Sequence, residues 1–85
     1  MKQRTGIEIT YDILEAAMSA QTKTRIMYVA GLYNKQVNSY LSILVKAGLL
    51  EMVGDRSYKT TVKGAQFMRS FERLRSIAFG PEWDT

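Results

Sequence analysis

Apolar residues in the middle of the chain recur at helical spacing. Val37, Leu41 and Leu44 lie four and three residues apart in an otherwise polar segment, which is the stripe that an amphipathic helix buries. The spacing predicts a helix over residues 34–47. Asn34 can cap its N-terminus through the side-chain oxygen.

Beyond this helix the pattern changes to that of a β-hairpin. Gly48 stands where a helix commonly ends in a left-handed residue. A short apolar run is formed by Leu49, Leu50, Met52 and Val53. It is followed by the turn-forming residues 54–57 and the β-formers of residues 58–61. We therefore expect two strands joined by a turn with a basic tip.

Two shorter apolar stripes precede the central helix. Residues 7–20 predict a first, supporting helix, and residues 22–31 predict a short helix with one basic end and a sharp turn at Gly31. The apolar positions are Ile9, Ile13, Leu14, Ala17 and Met18 in the first, and Ile26, Met27, Val29 and Ala30 in the second. Helix, helix, turn, helix and hairpin in this order make a winged helix-turn-helix, a mainly α fold with a small β-hairpin (α+β).

The last helix is predicted over residues 62–79, with Thr61 as its cap and Gly80-Pro81 as its stop. Gly64 in its first turn often marks close packing. We take residues 1–79 as the domain and residues 80–85 as a short tail, in which Trp83 either pins the helix end to a partner or is a simple tail residue.

The stripe of this helix has two possible partners. It can fold back on Ile9, Ile13 and Leu14 of its own chain, or its distal half can form a homodimer seam, which we favour because it projects further than a small domain needs. The predicted dimer interface is Phe67, Met68, Phe71, Leu74, Arg75, Ile77 and Ala78.

Composition narrows the classes of function. The chain of 85 residues has no cysteine and no histidine, which removes thiol catalysis and the usual zinc ligands. It shows no glycine-rich phosphate loop and no convincing acid–base pair, so we expect no enzyme, no metal and no cofactor. It also shows no long apolar run or secretory leader, so we expect no membrane partner and a cytoplasmic, nucleoid-associated protein.

Charge is concentrated in the centre of the chain. The net charge of +4 is made of −1 in residues 1–22, +5 in residues 23–63 and zero in the remainder. Such a cluster suits the phosphates of double-stranded DNA, although single lysines on a helix face are often only solubilising. The candidate DNA-binding residues are Lys23, Thr24, Arg25, Lys35, Gln36, Asn38, Ser39, Ser42, Lys46, Arg56, Ser57 and Lys59. Tyr28, Tyr33, Tyr40 and Tyr58 are expected to be half-buried rather than to stack on bases.

Several of these segments resemble a known family. The run TRIMYVAGL, the helix with Tyr40 and Leu44, and the pieces GLLEMV, SYKTT and VKG are similar to the small archaeal winged-helix DNA-binding proteins typified by the ten-kilodalton Sulfolobus chromatin protein. The resemblance spans about residues 7–74. It implies a dimer that binds duplex DNA and is formed by a long C-terminal helix in an antiparallel coiled coil. The helix expected here is shorter than that of the family.

Two functional hypotheses follow. The first is a duplex-DNA-binding transcriptional regulator or nucleoid-associated protein, with recognition helix 34–47 in the major groove and wing 54–59 on the backbone. The alternative is a winged-helix protein–protein interaction module within a transcription or assembly complex. Ile43 and Val45 favour the alternative, because at least one of them should lie near the supposed DNA face.

Overall fold

The computed structural model describes residues 4–79 as four helices and a three-stranded antiparallel sheet. The predicted tail, with Gly80, Pro81 and Trp83, lies outside the described residues. None of the helices within residues 4–79 combines the length and apolar character needed to cross a membrane. The elements in chain order are α1 (Gly6–Ala16), β1 (Gln21–Thr22), α2 (Lys23–Ala30), α3 (Asn34–Lys46), β2 (Leu50–Val53), β3 (Ser57–Thr60) and α4 (Val62–Phe79).

α1 is shorter than predicted at its C-terminal end. It starts with a capping box, in which the Thr5 hydroxyl accepts from the Glu8 amide and the Glu8 carboxylate accepts from the Thr5 amide. It ends at Ala16, because the chain must turn to reach the sheet, and the Ala17 carbonyl accepts from the Thr60 amide at 2.8 Å. Met18 therefore lies beyond the helix and is exposed, so its predicted place in the buried stripe is wrong.

α2 and α3 are joined by the turn expected at Gly31, which has a φ of +66°. The prediction that Asn34 caps α3 is wrong. Tyr33 precedes the helix, and its amide donates to Oε1 of Gln36 at 3.0 Å. The side chain that satisfies this end of α3 thus comes from Gln36 rather than from Asn34.

The sheet has the order β1-β3-β2, so β3 is its central strand. β2 and β3 form the predicted hairpin, with Val53 opposite Ser57 and a three-residue turn that starts at Gly54 with a φ of +65°. Ser57, predicted as a turn residue, begins β3 instead. On its other edge β3 pairs with the two-residue β1, which the sequence pattern did not predict.

One apolar core joins the helices to the sheet. The stripe of Val37, Leu41 and Leu44 is buried, as predicted. α1 packs on α2 and on α4. The hydroxyl of buried Thr60 donates to the Leu14 carbonyl at 2.7 Å, which ties the sheet to α1. The buried cluster consists of Ile9, Ile13, Leu14, Ala17, Ile26, Ala30, Leu32, Val37, Leu41, Leu44, Leu50 and Met68.

Candidate nucleic-acid interface

The side of α3 opposite its buried stripe is open to solvent and carries no acidic residue. Short polar, amide and basic side chains of this kind can hydrogen-bond with base edges and phosphates. The predicted residues on this side, all exposed, are Lys35, Gln36, Asn38, Ser39, Ser42 and Lys46.

The C-terminal end of α3 is fixed by backbone bonds and by the start of α4. The Leu49 amide donates to the Leu44 carbonyl at 2.9 Å, with Gly48 left-handed between them. Nζ of Lys63 donates to the Ala47 carbonyl at 2.9 Å, and the Thr61 hydroxyl donates to the Gly48 carbonyl at 2.6 Å. Lys63 belongs to the basic central segment, but its ammonium hydrogen-bonds with a free carbonyl at the end of α3. Its positive charge there interacts favourably with the helix dipole.

The N-terminus of α2 meets α3 through one side-chain bond. Nζ of Lys23 donates to Oδ1 of Asn38 at 3.1 Å. Thr22, whose hydroxyl accepts from the Arg25 amide at 3.2 Å, caps the helix and keeps its first turn in place. Thr24 and Arg25 are exposed beside this bond. The structure therefore brings predicted residues of both helices to one surface.

Two open clefts lie between these helices and the wing. One, of about 410 Å³, separates α2 from the wing and is lined by Thr22, Lys23, Thr24, Met52, Asp55, Arg56 and Tyr58. The other, of about 290 Å³, separates α3 from the wing and is lined by Asn38, Leu41, Ser42, Val45, Lys46, Met52 and Tyr58. Met52 and Tyr58 line both clefts, so the clefts form one continuous concave surface.

Met52 and Tyr58 are missing from the residues selected by sequence. Met52 is 52% exposed and Tyr58 is half-buried against the core, and the two are directly opposite in the hairpin. The sequence feature that could have identified Met52 is the alternation along β2. Leu50 and Met52 point to the same face of the sheet, and of these two Leu50 alone reaches the core. When residues 49–53 are interpreted as a single apolar run, this alternation is missed.

Two of the predicted DNA-binding residues in the wing do not face the clefts as expected. Lys59 alternates with Tyr58 along β3 and so faces away from the clefts, where it is paired with Glu51 of β2. Ser57 is half-buried in the central strand, opposite Thr22 and Val53. Of the three wing residues predicted to bind DNA, Arg56 is the one that lies in the turn and is exposed at the cleft edge, next to Asp55.

The tyrosines divide into two pairs. Tyr40 and Tyr58 are half-buried against the core, as predicted, whereas Tyr28 and Tyr33 are each 80% exposed. The expectation for the second pair is wrong, because Tyr28 lies on the outer side of α2 and Tyr33 in the turn before α3. Ile43 is also largely exposed, at 61%, but only Val45 lines a cleft.

On the side of the molecule away from the clefts, α1 contacts α4. The rings of Tyr11 and Phe71 stack with centroids 4.8 Å apart, and the Arg75 guanidinium lies 5.8 Å from the Phe71 centroid. The Tyr11 hydroxyl donates to the Glu72 carboxylate, and this bond, helped by burial, raises the pKa of Tyr11 to about 12.

These contacts divide the predicted dimer seam into residues that pack on their own domain and residues that remain exposed. Met68 is in the core of its own chain, Phe67 packs against that core, and Phe71 and Arg75 are engaged with one another beside α1. The proximal part of α4 thus folds back on its own domain. The exposed remainder of the seam is Leu74 at 67%, Ile77 at 77% and Ala78.

Comparison with known proteins agrees with this architecture. The family model described as winged helix-turn-helix matches residues 3–79. Among solved structures, the chain is similar to Sso10a-2, a DNA-binding protein from Sulfolobus solfataricus, with 34% sequence identity and a TM-score of 0.76. The match covers 87% of this chain and 81% of that one. No match was found among the curated proteins.

Proposed function

The chain belongs to the winged helix-turn-helix family, and we propose that it binds duplex DNA through α3, the N-terminus of α2 and the wing. The observation that carries the proposal is the acid-free, exposed side of α3, which continues into the two clefts beneath the wing. That a protein of 34% identity is a DNA-binding protein supports it.

α3 has suitable dimensions for the major groove. Its 13 residues span roughly 20 Å at about 1.5 Å per residue, and the groove is about 12 Å wide. In helix-turn-helix proteins the N-terminal part of the recognition helix reaches the base edges. We assign base contacts to Lys35, Asn38 and Ser39, which all lie in the first two turns.

Flanking elements are assigned to the phosphates. Thr24 and Arg25 are exposed at the start of α2, where backbone amides and the positive end of the helix dipole also favour an anion. Arg56 reaches out from the turn of the wing on the other side of the cleft. Contacts on both sides of α3 would fix its register on the duplex.

We further propose that the distal part of α4 pairs with a second copy. Leu74 and Ile77 are one helical turn apart, and both are largely exposed in the isolated chain. An exposed aliphatic strip at the end of a helix is stabilised when it is buried in an interface. A symmetric dimer would present two α3 helices to one duplex.

A protein-interaction module is the second candidate function. It is favoured by Ile43, which is 61% exposed on α3 and has no counterpart in a polar base-reading surface. A partner protein would cover Ile43 and the exposed side chains beside it on α3. Binding would then depend on apolar burial and only weakly on salt.

A fluorescence-anisotropy titration tests the main proposal. Random-sequence duplex and a duplex that carries a selected site are titrated at three salt concentrations with wild type and with Ser39→Ala, Asn38→Ala, Arg56→Ala and Lys59→Ala. We expect strongly salt-dependent binding, altered sequence preference for the two α3 variants, and uniform weakening for Arg56→Ala. Lys59→Ala should weaken binding least, since Lys59 faces away from the clefts.

The outcomes separate the candidates. Failure of the wild type to bind at low salt would reject DNA binding and direct attention to a protein partner. Binding that all four substitutions leave unchanged would show that another surface meets the DNA. Comparing affinities for a selected site and for random duplex then assigns the role, because a regulator requires a large ratio and an architectural protein does not.

A further inference from the structure

The bond between Lys23 and Asn38 fixes which group of the asparagine amide is available. Nζ of Lys23 lies 3.1 Å from Oδ1 of Asn38. An ammonium group can only donate hydrogen bonds, so the atom that it contacts must be the amide oxygen and not the nitrogen. Asn38 therefore directs its oxygen to α2 and keeps its NH₂ group for other partners.

Both partners of this bond are held by the fold. Lys23 is the first residue of α2, directly after Thr22, which caps the helix and pairs with Ser57 in the sheet. Asn38 follows Val37, which is fully buried beneath α3. The bond thus joins two positioned helices, and it also joins the clefts, because Lys23 lines one and Asn38 lines the other.

With the Asn38 oxygen held toward α2, the groups of the pair that remain for the groove are hydrogen-bond donors. The NH₂ of Asn38 has two donors, and Lys23 retains further donors beside it. Guanine offers two acceptors in the major groove, N7 and O6, whereas adenine offers one acceptor, N7, and one donor, the N6 amino group. The usual bidentate contact of asparagine with adenine needs the amide oxygen as an acceptor at the base. The oxygen keeps a second lone pair, but the Lys23 ammonium holds it toward α2 and places a positive charge beside it, which disfavours the N6 donor of adenine.

We propose that the Lys23–Asn38 pair makes this protein select guanine over adenine at the base that faces Asn38. The proposal rests on the proposed binding of duplex DNA through α3. Lys23 is a positioning residue in it, because it acts on the base chiefly by holding the Asn38 amide. Without Lys23 the amide can rotate, and Asn38 regains the donor–acceptor pair that suits adenine.

Selection from randomised duplexes tests the proposal. The sites enriched by wild type, Lys23→Met, Asn38→Ala and Lys46→Met are compared column by column. We expect one column in which wild type prefers guanine over adenine by about tenfold, a ratio typical of a good base contact. Lys23→Met should bring that ratio to about one or invert it, and Asn38→Ala should abolish it without removing the charge of Lys23.

Lys46→Met is the matched control, because it removes one charge from the exposed side of α3, in the same cleft as Asn38, and leaves the Lys23–Asn38 bond in place. It should weaken binding generally and leave the guanine column unchanged. Replacing that guanine by 7-deazaguanine, which lacks the N7 acceptor, should lower the affinity of wild type and have no effect on Asn38→Ala.

The results distinguish failure of this inference from failure of the proposed function. Adenine in the column that responds to Asn38→Ala, or a guanine column that Lys23→Met leaves intact, would overturn the inference while DNA binding stands. Wild type that binds duplex with no base preference would likewise overturn the inference and leave the proposed DNA binding intact. A wild type that binds no duplex at all would overturn both.

Discussion

The backbone carbonyl oxygen of Leu49 lies where a side chain on residue 64 would begin, only 2.3 Å from a Cβ built on Gly64. The same Cβ would lie 2.7 Å from Cγ2 of Thr60. α4 therefore starts in direct contact with the turn that ends α3. This confirms the close packing that the sequence predicted at Gly64, and it makes the orientation of α3 dependent on the start of α4.

Gly64→Ala should destabilise the protein substantially. Its methyl group cannot be accommodated by a side-chain rotation, because the nearest atom belongs to the backbone. We expect the free energy of unfolding to fall by about 2–3 kcal/mol, at the upper end of the usual cost of overpacking. Urea unfolding followed by circular dichroism measures this loss.

Gly6→Ala is the matched control for that substitution. Its Cβ would lie 3.4 Å from the Tyr40 hydroxyl, an ordinary contact with the end of a flexible side chain. Alanine is also the better helix former by up to about 1 kcal/mol, so stability should be unchanged or slightly raised. Equal effects of the two substitutions would show that contact with Leu49 is not the cause.

Arg56→Ala should change the salt dependence of duplex binding. Arg56 lies in the exposed turn of the wing, so it contributes one phosphate contact to the proposed interface. Its loss should flatten the slope of log K against log salt concentration by about 1. Arg73→Ala removes the same charge from the exposed side of α4, and there the slope should not change. The interface would be misplaced if Arg73→Ala had the larger effect.

Leu74→Asp should shift the proposed dimer toward monomer. Leu74 is 67% exposed in the single chain, so the substitution should cost the fold little and place a charge in the seam. Light scattering reports the mass. Val62→Asp is the control, since Val62 is 76% exposed at the other end of the same helix, where an acidic residue suits the dipole. A Leu74→Asp variant with the same mass as the wild type would place any dimer contact elsewhere.

The Tyr11 hydroxyl should ionise at a higher pH than that of an ordinary tyrosine. Its bond to the Glu72 carboxylate raises the pKa of Tyr11 to about 12, so the folded state retains a proton that the unfolded state loses near pH 10. The stabilisation is therefore complete below about pH 10 and is lost as the pH rises toward 12. Spectrophotometric titration at alkaline pH should show a transition near pH 12, which Tyr11→Phe removes and Glu72→Gln moves to lower pH. A late transition that persists in Tyr11→Phe would assign it to another tyrosine.

The parts of the fold that depend on periodic burial could be predicted from the sequence. Val37, Leu41 and Leu44 repeat often enough to define one side of α3, and the exposed polar side follows from the same geometry. The bounds of α4 are those predicted, and the resemblance carried by TRIMYVAGL is confirmed by the match to the Sulfolobus protein.

What could not be predicted depends on contacts between distant residues. Two residues are too few to show a strand period, so β1 is visible only through its pairing with β3. Lys63 and Lys59 looked like members of a basic surface, but one donates to the end of α3 and the other faces away from the clefts. Charge counted along a chain does not tell which face of an element carries it.

β1 also determines how separable the helix-turn-helix is from the rest of the molecule. Because Thr22 pairs with Ser57, residues 23–56 form a closed loop whose two ends are adjacent strands of one sheet. A peptide containing only α2 and α3 would lack the strands that hold its ends, as well as the α4 contacts that fix the end of α3. We therefore expect these helices to fold and melt together with the sheet as one cooperative unit, and to lose their arrangement when grafted alone onto another protein.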